Sequence, residues 1–317
     1  MPVTRSSVNA MRQVFFYRSR GGGLIGGYRW LPEGTPRAVV QIVHGIAEYA
    51  PRYAHFAEFL NSQGYLVVAH DHMGHGESIS EEAPQGYFSG GWFAAVDDAY
   101  QLYLDTRKQY PGIPYVMFGH SMGSFIVRSM LYRYPDSGID AAVICGTGWM
   151  NSVVLQGGRL TADLICRKNG EKNSSPVLQK LMFGGYTSRI ENVRTGNDWL
   201  SRDEAVVDAY NADPLCGFPA AAGLVRDMME GIISNQRPKN LALMRKDLPV
   251  FFIAGGDDPV GDYGKGVEQS AQEFRKAGMV RVSEKVYPGC RHEILNELNK
   301  EEVYNDVANW IKSVLMD

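Results

Sequence analysis

The pentapeptide Gly119-His120-Ser121-Met122-Gly123 constrains this chain more than any other stretch, because it joins the apolar run 115–118 to the helix-compatible run 124–133. A serine therefore stands where a buried strand turns sharply into a helix. That setting projects Oγ from the end of a sheet and makes Ser121 a candidate nucleophile. The flanking glycines are needed sterically, since a strained turn of this kind leaves no room for Cβ atoms against the neighbouring strand and helix. The pentapeptide alone is weak evidence in a chain with 35 glycines. A structural glycine turn is the competing reading, and the strand–turn–helix context is what separates the two.

At 317 residues and 44% hydrophobic content the chain is long enough for one large α/β domain or two smaller ones. Its longest apolar stretches, such as 38–43 and 65–69, have strand length and fall far short of the roughly 20 residues a bilayer crossing needs. Residues 1–20 show no apolar segment with a small-residue cleavage site, so a cytoplasmic protein without a secretory leader is expected. A net charge of −3 with interleaved signs provides neither a basic stripe for nucleic acid nor a polybasic arm for stable membrane attachment. Small molecules are the expected partners. Cys145, Cys166, Cys216 and Cys290 form no CxxC pair, which points to free thiols rather than a disulfide framework or a zinc ribbon.

Apolar runs alternate with amphipathic segments in the order of parallel βαβ units. Strands are expected at 14–17, 27–31, 38–43, 65–70, 115–118 and 141–144. Helices are expected at 52–63, capped by Gly64, and at 93–110, where Phe93, Val96, Tyr100, Tyr103 and Leu104 mark the apolar face and Pro111-Gly112 ends it. From 147 to 240 the strand rhythm is lost and apolar residues recur at helical spacing, which reads as an inserted helical cap. Leu178, Leu181 and Met182 share one helical face there, and Leu224, Met228, Met229, Ile232 and Ile233 share another. Gly157-Gly158, Gly184-Gly185 and 168–175 read as loops. The βαβ pattern resumes with a strand at 248–254, a helix at 267–276, a strand at 280–287 and a closing helix at 296–315.

A serine hydroxyl needs an adjacent base held in the right tautomer by a third group. Gly255-Gly256-Asp257-Asp258-Pro259 follows one strand and Pro288-Gly289-Cys290-Arg291-His292-Glu293 follows another, at the carboxyl ends where α/β sheets build their sites. His292 is the candidate general base and Asp258 its orienting partner, with Asp257 as the rival carboxylate. Taken singly, Asp258 reads equally well as a helix cap or turn residue, and His292 as a solvated imidazole at a helix start. Acyl transfer also needs donors for an oxyanion, for which the backbone N–H groups of Met122 and of Ile46, in His44-Gly45-Ile46, are the candidates. The cluster His70-Asp71-His72-Met73-Gly74-His75 has metal-ligand residue types, yet no second ligand group completes a shell, and a loop turned by Gly74 and Gly76 accounts for it more simply. No Gly-rich phosphate loop follows a strand, so neither a metal nor another cofactor is expected.

Together these motifs resemble the α/β-hydrolase superfamily and, within it, the monoglyceride lipase and lysophospholipase-like group of serine hydrolases. The resemblance runs over most of the core: His44-Gly45-Ile46-Ala47-Glu48 with Arg52-Tyr53, Asp71-His72-Met73-Gly74-His75-Gly76-Glu77-Ser78, Gly119 to Gly123, Asp258, and His292-Glu293. It implies an eight-stranded, mostly parallel sheet flanked by helices, with a core of residues 1–146 and 241–317 and a cap of residues 147–240 inserted after the sixth strand. It also implies hydrolysis of carboxylic esters through an acyl-enzyme, with Ser121, His292 and Asp258 as the triad and small acyl esters such as monoacylglycerols or lysophospholipids as substrates. Tyr49 departs from the family, which often carries histidine after the glutamate of the HGxxE motif. Glu48 is read as structural, tying loops through Arg52 or a backbone amide. The segments Trp199-Leu200-Ser201-Arg202-Asp203 and Asp213-Pro214-Leu215-Cys216-Gly217-Phe218 resemble caps of bacterial members. An aminopeptidase, thioesterase or acyltransferase would use the same triad, a peptidase holding the substrate amine on Glu204, Asp208, Asp227 or Glu230. A non-catalytic small-molecule binder is the reading from another class.

Overall fold

The computed structural model describes residues 12–316. Residues 1–11, on which the expectation of no secretory leader largely rests, lie outside the described residues. Among those described, eight strands form one sheet in the order β1-β2-β4-β3-β5-β6-β7-β8. The strands are β1 (Arg12–Arg18), β2 (Leu24–Trp30), β3 (Ala38–Val43), β4 (Tyr65–His70), β5 (Tyr115–His120), β6 (Ala141–Cys145), β7 (Val250–Gly255) and β8 (Val282–Tyr287). β1–β2 and β2–β4 pair antiparallel and every later pair is parallel. The central strands β3 to β7 are buried at every position. Helices cover both faces of such a sheet, which is why these runs read as continuously apolar rather than alternating.

Ten helices accompany the strands within the described residues: α1 (Ala54–Ser62), α2 (Gly91–Gln109), α3 (Met122–Arg133), α4 (Ser152–Asn169), α5 (Pro176–Phe183), α6 (Glu204–Ala212), α7 (Ala222–Asn235), α8 (Pro238–Leu243), α9 (Lys265–Lys276) and α10 (Lys300–Met316). Gly64 adopts the expected left-handed conformation after α1 (φ 84°), and α2 stops before Pro111. The first turn of the expected helix at 52–63 is a 3-10 turn, Ala50–Tyr53.

Between β6 and β7 the chain is helical, α4 through α8, as the lost rhythm requires. One expectation within this stretch is corrected. Gly157-Gly158 is not a loop but lies inside α4, where a Cβ on Gly158 would stand 2.7 Å from Met229 Sδ. The glycine is there for close approach of α4 to α7. Leu181 is 47% exposed although it shares its face with buried Leu178, and Leu104 on α2 is 41% exposed; the expected Val96 and Tyr103 are buried on α2, together with Trp92, Ala95, Ala99 and Leu102. α7 docks on the core helices through Gly231, flat against the Trp92 ring, and through Asn235, which accepts from Ser129 Oγ (2.7 Å) and donates to Phe125 O (2.8 Å) on α3. Leu224, Met229 and Ile232 thus belong to the main apolar cluster. Met228 and Ile233 pack at its margin.

Candidate active site

The turn from β5 into α3 puts Ser121 at φ 53°, ψ −123°, a conformation that is costly for a non-glycine residue. Its neighbours explain why it persists. A Cβ on Gly119 would lie 2.5 Å from Gly123 O, and one on Gly123 would lie 2.0 Å from Val43 O. β3 and α3 therefore close on the turn from both sides, and only glycine fits at either flank. Ser121 N–H donates to Cys145 O (3.0 Å), and Ser121 O accepts from Ser124 N–H (2.9 Å) and Oγ (2.6 Å), which anchors the backbone while the side chain stays half-exposed.

β7 and β8 deliver the other two groups. Asp258 is fully buried, and its Oδ2 accepts from His292 Nδ1–H at 2.9 Å while Oδ1 accepts from Val260 N–H at 2.9 Å. Asp257 is exposed. The geometry thus separates the two adjacent carboxylates that the sequence leaves as rivals. The Asp258 loop returns through Asp262 (φ 46°), Tyr263 (φ 57°) and Gly264 (φ 91°), three consecutive left-handed residues. The His292 ring is held between Trp199 (centroids 5.0 Å apart) and His120 (4.8 Å). With Nδ1–H committed to Asp258, Nε2 is the nitrogen left to act as base. No hydrogen bond closes the step from His292 to Ser121 Oγ among the described residues, and such contacts commonly tighten only when substrate is bound.

The strand beside β5 is β3, with Val43 opposite Gly119, so the loop 44–48 reaches the serine. A Cβ on Gly45 would stand 3.1 Å from Ser121 Cβ. Among the described residues, neither the Ile46 nor the Met122 amide has a hydrogen-bond acceptor, the condition for both to serve an oxyanion. Ala47, the next residue, is left-handed (φ 55°) and clamped on both sides. Its N–H donates to His75 Nε2 (3.3 Å), and its carbonyl accepts from Tyr210 Oη (3.0 Å) and Gly217 N–H (2.9 Å).

Glu48 does both things expected of it. It accepts from Gly45 N–H (2.6 Å), Tyr53 Oη (2.7 Å) and Arg52 Nη1 (2.7 Å). Burial opposes its charge, but the His120 hydrogen bond and the Arg52 guanidinium outweigh burial and hold the carboxyl well below the usual range. Arg52 also forks onto Glu293 at 2.7 and 2.8 Å and stacks on Tyr210 at 4.8 Å. Tyr49, the departure from the family pattern, donates to Asp213 Oδ2 at 2.8 Å. The segment 198–203 is stitched to the His292 loop: His292 N–H donates to Trp199 O (3.2 Å), Glu293 N–H to Leu200 O (2.7 Å), and Arg291 Nη1 to Asp198 O (2.7 Å).

The His70–His75 loop turns at Gly74 (φ 71°) and Gly76 (φ 47°) as expected. Asp71 accepts from Ala50 N–H, Tyr28 Oη and Glu77 N–H at 2.7–2.8 Å, and His72 Nε2–H donates to His44 O at 3.1 Å. These residues shape loops. Three side chains that sequence pattern leaves unmarked also hold the site: Tyr210, His120, and Arg128, which donates to Thr147 Oγ1 (3.1 Å) and Gly148 O (2.9 Å) of the loop after β6. A lone arginine in the apolar run of α3 is the one sequence signal that would have found Arg128. A cleft of about 770 Å³ between the start of α4 and the end of α7, lined by Trp149, Leu155, Arg159, Glu230 and Gln236, includes none of the triad candidates. Size does not mark the site; the convergence of groups on Ser121 does.

The chain is similar over most of its length to several known proteins. The chain is 32% identical to the monoacylglycerol lipase of Mycolicibacterium smegmatis over 97% of its own length and 100% of that protein. It is 27% identical to the monoglyceride lipase of Mus musculus, over 89% and 84% of the two chains. A crystal structure of a thermostable carboxyl esterase from Bacillus coagulans in complex with glycerol superposes with a TM-score of 0.86 at 29% identity, covering 96% of this chain and 99% of the esterase. The profile described as serine aminopeptidase, S33 matches residues 34–299. The chain belongs to this S33 family of α/β hydrolases, in its monoacylglycerol lipase-like group.

Proposed function

We propose that the protein is a carboxylic ester hydrolase working through an acyl-enzyme, with Ser121 as nucleophile, His292 as general base and acid, Asp258 as its orienting partner, and the Ile46 and Met122 amides as the oxyanion hole. The observation that carries this reading is the buried Asp258–His292 pair presented to a strained serine beside two amides without acceptors. Ser121 attacks the ester carbonyl and gives its proton to His292 Nε2. The imidazolium is stabilised by Asp258 and returns the proton to the leaving alcohol. Water then repeats the sequence on the acyl-enzyme.

Relatives named as monoacylglycerol lipases and a neighbour with glycerol bound support a fatty acyl ester with a small polyol head group as substrate. Exposed Val153, Val154, Leu160 and Leu164 on α4 and Val177 on α5 support an apolar acyl group. Residues 147–240 serve as the cap over a core of residues 1–146 and 241–317. Four buried free thiols support the cytoplasmic placement. No helix among the described residues is long and apolar enough to cross a membrane.

The family description raises the peptidase reading, and the cap carboxylates weigh against it. Glu204 and Asp208 face Arg194, Asp227 pairs with Arg226, and Glu230 pairs with Arg159 and Arg237. Each already faces a guanidinium that competes with a substrate amine. Hydrolysis of monoacylglycerols and of p-nitrophenyl esters from acetate to palmitate, set against an aminoacyl p-nitroanilide, tests the assignment. Ester cleavage with a chain-length optimum and no anilide cleavage is expected; preferential anilide cleavage overturns it.

A further inference from the structure

Hydrogen-bond accounting sets His120 apart from the histidines around it. His44 donates from Nδ1 to Gly45 O (2.7 Å) and accepts at Nε2 from His72 N–H (2.9 Å). His75 donates from Nδ1 to Met73 O (3.0 Å) and accepts at Nε2 from Ala47 N–H (3.3 Å). Each is satisfied as a neutral ring. His120, by contrast, faces acceptors at both nitrogens. Its Nε2 lies 3.3 Å from the carbonyl oxygen of His292. Its Nδ1 lies 3.3 Å from Glu48 Oε1 and 2.9 Å from Tyr53 Oη, whose single proton goes to Glu48 Oε1 at 2.7 Å. With the Tyr53 proton on Glu48 Oε1, the shorter of its two contacts, the oxygens around the ring only accept, so either neutral tautomer sets a ring lone pair against an oxygen.

The local charge count leads to the same protonation state. Glu48 and Glu293 share one guanidinium, Arg52, and all three groups are largely withdrawn from water. A neutral His120 leaves one buried negative charge over, whereas a protonated ring brings the cluster to zero. The other groups facing the ring add no cation: Cys145, its β6 neighbour, is kept as a thiol by burial, the Tyr53 phenol is likewise pushed up, and Asp258 is engaged by His292.

We infer that His120 is a positioning residue protonated at neutral pH, an imidazolium that ties the His292 loop to the oxyanion loop through Glu48, from the position next to Ser121. Its consequence for turnover rests on the roles proposed for Ser121 and His292; its charge state does not. Although burial opposes the charge, the Glu48 hydrogen bond and carboxylate raise the affinity of this ring for its proton above the ordinary histidine value.

Histidine-selective 15N–1H NMR of the wild-type protein between pH 6 and 9 tests this directly, with His120 assigned by its loss in His120→Gln. Both ring nitrogens are expected to remain protonated at pH 7.5. A non-protonated nitrogen in that ring at pH 7 overturns the inference. If His120→Gln does not fold, Tyr53→Phe provides the assignment, since it perturbs this ring and leaves it charged. In His120→Gln, whose amide can still donate to the His292 carbonyl, kcat falls by up to about 10²-fold with KM little changed. The alkaline descent of kcat/KM disappears with the proton that causes it, and an alkaline limb identical to wild type overturns the positioning role. An imidazolium in a protein that cleaves no ester leaves this inference standing and sinks the esterase reading.

Discussion

Asp257 is exposed and Asp258 is fully buried with Oδ2 at 2.9 Å from His292 Nδ1, so the two neighbours form an internal control. Ser121→Ala is expected to abolish ester hydrolysis and labelling by a fluorophosphonate. Asp258→Asn keeps the shape but favours the wrong tautomer, and lowers kcat by about 10⁴-fold. Asp257→Asn changes kcat/KM less than about twofold, as a surface substitution should. Steady-state kinetics on one p-nitrophenyl ester checks all three. Ser121 and His292 are legible in the sequence because each follows a strand, Ser121 directly after the buried β5 and His292 in the loop after the partly buried edge strand β8. The choice between Asp257 and Asp258 is not, because it is made by burial and by a contact with His292 34 residues away, which two adjacent identical side chains do not encode. Tyr210 and His120 are unreadable for a related reason: their partners are 163 and 72 residues away in the chain, and no local pattern encodes such a contact.

Helix α4 shows how an element can be legible in kind and misread in detail. Its periodicity announces a helix, and the Gly157-Gly158 pair announces a break, since glycine is poor in helix interiors. Tertiary packing overrides that propensity: Gly158 is the point where Met229 and Leu181 approach. Gly158→Leu is therefore expected to destabilise the protein by about 1–3 kcal/mol through overpacking, whereas Gly157→Ala, with open space around it, is expected to stabilise by about 0.5–1 kcal/mol through helix propensity. Urea denaturation of the two variants checks the opposite signs. The core strands β3 to β7 fall within two residues of where apolar runs place them, because a strand buried on both faces has no polar positions to blur its ends.

At the scale of the whole molecule, protons decide how the fold responds to acid. His44, His70, His72 and His75 are buried together, and burial pushes their proton affinities down, His70 to about 3 and His75 to about 4. Each binds a proton when unfolded below about pH 6.5 but not when folded, so its contribution is intact above pH 6.5 and is lost as pH falls toward those values. Asp71 and Asp98, raised by burial to about 6, act in the opposite sense and recover part of the loss. Asp227, also raised by burial, joins them, so four groups stand against three, and the remaining net uptake of protons on unfolding between pH 4 and 6 makes stability fall with acid across that window. Denaturant midpoints that do not change between pH 7 and pH 5 would contradict this balance. The contacts of residues 198–217 set a further condition. This stretch supplies the carbonyls that hold the His292 loop and the donors that hold Ala47. A chimera that exchanges residues 147–240 for those of a relative would bring a foreign frame for its own base and oxyanion donors. One that exchanges only α4 would leave that frame native, whereas α5 carries Phe183, whose ring stacks on Trp199, so new acyl specificities in this lineage can be sampled by exchange of α4 alone.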